Sequence, residues 1–279
     1  MHTPLLIIGN KRSGSTLLMR ILNKHPKILM GNEVDAMWLS YCLSTTGSVS
    51  YYKNDSPAGL KRALNEVEHL INKTEAPKNI FKNYLKQLHA KGAYTKSNGD
   101  FNHFEYIGDQ KPYQNADPKI VDFIEQHWNN TRYIHLVRHP FQVIESSKNF
   151  NNKTGGYLWS NKTDQQLLDN WILNEKNALN VSEIAGKRYF KIYYNDLVNS
   201  PKKSLHSLFN WLNIKTTTSQ LNTLCAEVRN NKKPFNNIDV KPQYKTIFTQ
   251  HGFKTKFGYY ERTVAPLVTL IYNKIRGGF

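Results

Sequence analysis

The segment of residues 5–29, LLIIGNKRSGSTLLMRILNKHPKIL, constrains this chain more than any other, because it passes from an apolar run through a loop of small and basic residues into an amphipathic stretch. Leu5, Leu6, Ile7 and Ile8 are uninterrupted apolar residues, the pattern of a short strand buried on both faces of a parallel sheet. Gly9 then opens a turn. Leu17, Leu18, Ile21 and Leu22 recur at helical spacing, which predicts a helix beginning near Gly14 or Ser15 and ending near His25–Pro26. The loop therefore sits on a helix N-terminus, where unpaired backbone N–H groups and the positive end of the helix dipole attract an anion. Ser13, Ser15 and Thr16 add hydroxyl donors, and Arg12 adds charge.

The nucleoside triphosphatase loop, G-x-x-x-x-G-K-[ST], is matched at Gly9 and Gly14, with Thr16 where the metal-binding hydroxyl lies, but Ser15 replaces the lysine that reaches the outer phosphates. The charge lies inside the loop instead, at Arg12. Arg12-Ser13-Gly14-Ser15-Thr16-Leu17-Leu18 resembles the R-S-G-T-T-L-L loop of sulfotransferases that use 3′-phosphoadenosine-5′-phosphosulfate (PAPS). Tyr133-Ile134-His135-Leu136-Val137, a second strand candidate, is followed by Arg138-His139-Pro140 and then by a stretch reaching Ser146 and Ser147. This resembles the family's 3′-phosphate segment, in which a strand-end arginine and a serine eight residues later hold that group; here they are Arg138 and Ser146. An arginine at a strand end can grip a phosphate with a fork of charged donors, or pair a nearby carboxylate. Tyr194-Asn195-Asp196-Leu197-Val198, after a strand-like run from Arg188 to Tyr193, looks like the family's Y-E-D-L segment, which implies that Tyr194 contacts the adenine. The tryptophan-led helix of the family is matched at Trp171, Asn174 and Asn177.

Departures accompany these matches. Lys11 stands where the family usually has proline, and the family's glycine-acid-lysine-serine/threonine-proline segment is matched by Gly108-Asp109-Gln110-Lys111-Pro112, with the lysine one place late. The role of that lysine therefore does not pass directly to Lys111.

The chain has 279 residues, enough to bury a large core as one α/β domain, and no repeat or low-complexity linker interrupts it. A membrane-spanning helix, which needs about 20 consecutive apolar residues, is not expected from its short apolar runs. The first strand is expected to start at residue 4 or 5, leaving no room for a leader or anchor upstream. Two cysteines, Cys42 and Cys225, are too few for a disulfide scaffold, and no His/Cys spacing suggests a metal site. A reducing, cytoplasmic setting is the expectation, so the N-x-[ST] sequons, such as that at Asn72, reflect an asparagine-rich sequence. The formal charge of +17 suits nucleic acid or an anionic membrane surface, or else an anionic cofactor and acceptor. Its lysines are scattered in small clusters and form no recognisable nucleic-acid module, so nucleic acid is not expected as the main partner.

Residues 45–105 form a polar stretch with two amphipathic patterns, Leu60, Ala63, Leu64, Val67, Leu70 and Ile71, then Ile80, Phe81, Tyr84, Leu85 and Leu88. At helical spacing these are core-facing stripes, and the resemblance implies that this insertion also covers the acceptor site. A further helix pattern, Ile120, Val121, Ile124 and Trp128, leads into the strand before Arg138 and completes a strand–helix–strand crossover. The fold expected is a single α/β domain, a central parallel sheet flanked by helices in three layers, P-loop-like, with ligands at the carboxyl ends of the strands. Arg138, Tyr194 and the loop from Gly9 to Thr16 should converge on that edge.

His25-Pro26, followed by Gly31-Asn32-Glu33, resembles the H-P-x-x-x-x-G-x-E run of protein-tyrosine sulfotransferases and some bacterial relatives, which implies Glu33 as catalytic base. Its alternative is a structural pair with Arg12 or another cation. A histidine base, as in the cytosolic small-molecule branch, would fall to His103 or to His139, the latter better suited to ordering the phosphate motif. The resemblance assigns Thr16 and Ser15 to the 5′-phosphate, with Ser13, Gly14 and Arg12 completing the donor site. It offers Lys254 and Lys256 as a late basic loop over the 3′-phosphate.

What these matches imply is transfer of a sulfuryl group from PAPS, with 3′-phosphoadenosine-5′-phosphate (PAP) as product, no metal, and a small-molecule metabolite hydroxyl or amine as acceptor. A saccharide or glycolipid is the alternative acceptor. A P-loop kinase or a non-catalytic nucleotide-binding protein are the readings from other classes.

Overall fold

The computed structural model describes residues 2–52, 60–61, 64–65, 68–72, 74–92, 99–154, 162–228 and 244–253. They fall into two compact units, one drawn from residues 1–138 and 177–231 and the other from 139–176 and 232–279.

The first unit is built on five strands, β1 (Thr3–Gly9), β2 (Ile28–Asn32), β3 (Tyr106–Gln110), β4 (Arg132–Val137) and β5 (Tyr189–Tyr193). They form one sheet of order β2-β3-β1-β4-β5, and every neighbouring pair is parallel. Leu5, Leu6, Ile7 and Ile8 have no solvent exposure, so β1 is covered on both faces, as its unbroken apolar run requires. The strand pleat sends Leu6 and Ile8 into one cluster and Leu5 and Ile7 into another. The first cluster is completed by α2 (Ala36–Thr46), α3 (Pro77–Ala90), α4 (Pro118–His127) and the C-terminal end of α6 (Asp164–Ala185). The second is completed by α1 (Ser15–Asn23), α8 (Pro201–Trp211) and α9 (Thr218–Cys225). Each fully buried Leu or Ile side chain contributes about 1.5–3 kcal/mol to holding these layers on the sheet. The expected α/β layering with a parallel sheet is what forms.

The stripe Ile80, Phe81, Tyr84, Leu85 and Leu88 is the buried face of α3, and Leu60, Leu64 and Ile71 join the same core; Ala63 and Val67 lie outside the described residues. The sequence pattern did not point to β2 or β3 as strands. Both are short, and both carry glycine and polar residues that weaken an apolar run. Gly108 is required in β3 because a Cβ there would come within 1.6 Å of the Leu5 carbonyl oxygen, so only glycine allows the two strands this register. Asn23, buried at the end of α1, ties that helix to β2: its amide accepts from the Met30 N–H at 2.7 Å and donates to the Met30 carbonyl at 2.8 Å.

The second unit contains α5 (Pro140–Thr154), the first half of α6 and α10 (Lys245–Gln250). Trp171 packs on Phe248, His251 and Phe253 at ring distances of 5.8 to 6.1 Å. Within that aromatic shell Glu175 and His251, both fully buried, pair at 3.0 Å.

Candidate active site

Strand order reverses around β1, and in open α/β sheets that reversal opens a crevice beyond the carboxyl ends of the strands. The loop from Gly9 to Gly14 leaves β1 there and delivers the chain to α1. Gly14 is the N-cap of α1 at φ 98°, no side chain caps the helix, and its first turn holds no acidic residue. The backbone N–H groups of that turn thus keep their capacity for an external anion. Ser13 is buried, and its hydroxyl has no hydrogen-bond partner among the described residues. Thr16 is exposed at the start of the helix, while Ser15 is buried one residue earlier. Arg12 has a left-handed backbone, φ 63°, which a non-glycine residue adopts only when its surroundings enforce it.

The surroundings that enforce it include Arg138, the first residue after β4. Its Nη1 donates to the Arg12 carbonyl at 2.9 Å, and its guanidinium lies 4.3 Å from the centre of the Tyr194 ring. Tyr194 begins α7 (Tyr194–Asn199) directly after β5. Its ring in turn lies against Gly14, where a Cβ would come within 2.6 Å of the ring carbons. The convergence expected of the loop, Arg138 and Tyr194 is therefore met, at the carboxyl ends of three adjacent strands. Burial draws the Arg138 guanidinium below the ordinary arginine value, Tyr194 opposes that shift, and the Arg12 charge adds to it. Arg12 is also drawn down by burial, and Glu33 opposes the shift. Both remain cations at any physiological pH, so two positive groups share the loop.

Glu33 follows β2 at the same edge and is exposed, not partly buried. It too has a left-handed backbone, φ 55°, as does Asp35 at φ 57°. This turn is held from below by three consecutive residues at the end of β3. Asp109 accepts from the N–H groups of Val34 and Ala36 at 3.3 and 3.1 Å. Gln110 donates through Nε2 to Asn32 Oδ1 at 3.0 Å and to Glu33 Oε1 at 3.4 Å. Lys111, buried, pairs with the buried Asp35 at 2.8 Å. Burial, reinforced by Asp35, pushes the Asp109 carboxyl up to about 7 against the pull of the Ala36 N–H, Lys111 and the Val34 N–H. Asp35 and Gln110 carry parts of this site that motif reading passed over. The available signal was the run Asp109-Gln110-Lys111, since three polar residues in a row at a buried strand end are costly unless they serve the loop beside them.

Other candidates lie elsewhere. His103 ends a short 3-10 turn before β3, exposed, 3.8 Å from the Asp100 carboxylate. Tyr106 of β3 pairs with Thr3 at the amino ends of the strands, so His103 belongs to the edge opposite Glu33. Ser146 is half-buried on α5, and His139, buried just before that helix, accepts from the Phe141 N–H through Nδ1 at 3.3 Å; both belong to the second unit. Lys254 and Lys256 lie outside the described residues. Among the described residues, no group of three His, Cys, Asp or Glu side chains is placed to hold a metal ion, and no helix is long and apolar enough to cross a membrane.

Comparison with known proteins gives a matching family model, that of the sulfotransferase family, over residues 4–218. No curated protein sequence matches the chain. Among solved structures, the sulfotransferase domain from the Synechococcus PCC 7002 olefin synthase is 22% identical with a TM-score of 0.50, the match covering 100% of this chain and 96% of that one. A sulfotransferase from Mycobacterium avium is 12% identical with a TM-score of 0.54, over 89% of this chain and 76% of that one. One from Alicyclobacillus acidocaldarius is 10% identical with a TM-score of 0.51, over 90% and 91%. These structural likenesses are statements about the fold.

Proposed function

The chain belongs to the sulfotransferase family, and from that premise we propose that it transfers a sulfuryl group from PAPS to a hydroxyl or amine of a small-molecule metabolite in the cytoplasm, releasing PAP. The observation that carries the reading is the chain of contacts from Arg138 to the Arg12 carbonyl and, through the Tyr194 ring, to Gly14. It supports one rigid cationic cradle on a helix N-terminus.

Sulfuryl transfer needs a nucleophile relieved of its proton, positive charge around the departing phosphate, and in-line geometry. The N–H groups and hydroxyls of Ser15 and Thr16 hold the 5′-phosphate oxygens, and Arg12 neutralises charge that builds on them as the bond to sulfur breaks. Arg138 holds the 3′-phosphate, with Tyr194 beside it against the adenine. Glu33 accepts the proton of the acceptor hydroxyl as its oxygen bonds to sulfur and the sulfur–oxygen bond to the 5′-phosphate breaks, so that PAP departs without needing that proton. Lys111, already paired with Asp35, is assigned no part in these steps.

Thermal-shift titration with PAP beside ADP and ATP tests the donor assignment, because stabilisation grows with ligand affinity and concentration. A rise in melting temperature with PAP that the other two do not match is the expected outcome. Preference for ATP, or no response to any of the three, overturns it.

A further inference from the structure

Gln110 occupies the place at which the resembling family carries lysine, and its side chain is entirely buried at the end of β3. Its amide nitrogen donates to Asn32 Oδ1 at 3.0 Å and to Glu33 Oε1 at 3.4 Å. This orientation suits an ionised carboxylate, which only accepts, and it leaves the buried Gln110 Oε1 without a hydrogen-bond partner among the described residues. Asn32 and Glu33 are both exposed, and the Arg12 charge also acts on Glu33, so the Gln110 amide works beside that cation in fixing the carboxylate's rotamer.

The backbone beneath them is separately secured. Asp109 holds the Val34 and Ala36 N–H groups, the Tyr84 hydroxyl donates to the Val34 carbonyl at 2.9 Å, and Lys111 pairs with Asp35. Alternation along the strand end sends 109 and 111 one way and 110 the other. Thus two residues fix the turn, and the one between them touches the carboxylate. We propose that Gln110 is a positioning residue for Glu33, holding its carboxylate at the place where the acceptor proton is removed. A neutral donor orients the carboxylate without adding a second cation to the Arg12 charge that already acts on it.

This inference rests on Glu33 being the base, and the experiment separates the two ideas. PAPS hydrolysis to PAP and sulfate, with water as the acceptor, provides a rate without an identified metabolite: water oxygen bonds to sulfur, the sulfur–oxygen bond to the 5′-phosphate breaks, and the proton passes to Glu33. Gln110→Met keeps the volume and removes the donor. The expected result is a rate about tenfold lower, as small displacements of a reacting group cost at least that much, with PAP stabilisation unchanged. In the Glu33→Gln background, Gln110→Met should cost nothing further, because the two residues act through one contact. An unchanged rate in Gln110→Met, or losses that simply add in the double variant, overturns the proposal while leaving Glu33 as base. A wild-type rate in Glu33→Gln overturns both. Should Gln110→Met lose its cooperative melt, Gln110→Asn, which retains the amide one methylene short, serves in the same cycle.

Discussion

The turn after β1 and the turn after β2 leave the same edge of one sheet, and they are built in opposite ways. Both bend through non-glycine residues at positive φ, Arg12 in one, Glu33 and Asp35 in the other. The first keeps polar capacity in reserve: its helix is uncapped, and the buried Ser13 hydroxyl has no hydrogen-bond partner among the described residues. The second has the Val34 and Ala36 N–H groups and the buried Asp35 charge answered by protein, through Asp109 and Lys111, although the buried Gln110 Oε1 has no hydrogen-bond partner among the described residues. The proposed uptake of an anion at one turn and placement of a base at the other would call for both kinds of construction. Unsatisfied donors give affinity, and satisfied ones give position.

The second turn is where stability is most exposed to mutation. Lys111→Met should leave Asp35 buried beside Asp109 without its cation, at a cost of about 3–5 kcal/mol read from urea midpoints. In the first turn the larger effect falls on binding. Gly14→Ala places a methyl against the Tyr194 ring at a backbone angle alanine resists. It should cost about 1–3 kcal/mol of stability and remove PAP stabilisation altogether. Arg12→Ala should leave the melting temperature of the free protein near its original value while weakening PAP roughly tenfold or more, the worth of a charge-assisted contact.

A pH series sharpens the contrast further. Asp109 binds its proton more tightly in the folded chain, at about 7, than in the unfolded one, near 3.8. Between those values the folded state holds more protons, so this group's contribution to stability is complete below the lower value and is lost as pH rises through the upper one. Asp109→Asn should flatten that decline in a series of denaturation curves. The smallest effect is expected at the opposite sheet edge, where His103→Ala should leave PAPS turnover unchanged while Glu33→Gln lowers it about 100-fold or more.

How far the sequence could be read follows the same division. The loop after β1 was legible because backbone conformation does most of the work there, and backbone conformation is written locally, in Gly9, Gly14 and the helical spacing of Leu17, Leu18, Ile21 and Leu22. Arg138 and Tyr194 were legible as strand-end residues, although the stacking of Arg138 on Tyr194 and the hydrogen bond to the Arg12 carbonyl were not. The strands β2 and β3 escaped notice because Gly31, Gly108, Asp109 and Gln110 break the apolar pattern. The last three answer a neighbour distant in the chain: Gly108 faces the Leu5 carbonyl, Asp109 the turn at 34–36, and Gln110 the Glu33 carboxylate.

By itself the sequence determined a parallel sheet whose first strand feeds a helix through a glycine-bounded loop on the helix N-terminus, since apolar runs, glycines and helical periodicity act over a few residues. It also determined which cation enters that loop, Arg12 in place of a lysine after Gly14. Only the tertiary structure decided that Lys111, one position late, is spent on Asp35, that Gln110 faces the candidate base, and that His103 lies at the wrong edge. The reason is physical: a strand end offers side chains to both faces at once, and which partner each one meets depends on the register of strands that are far apart in the chain.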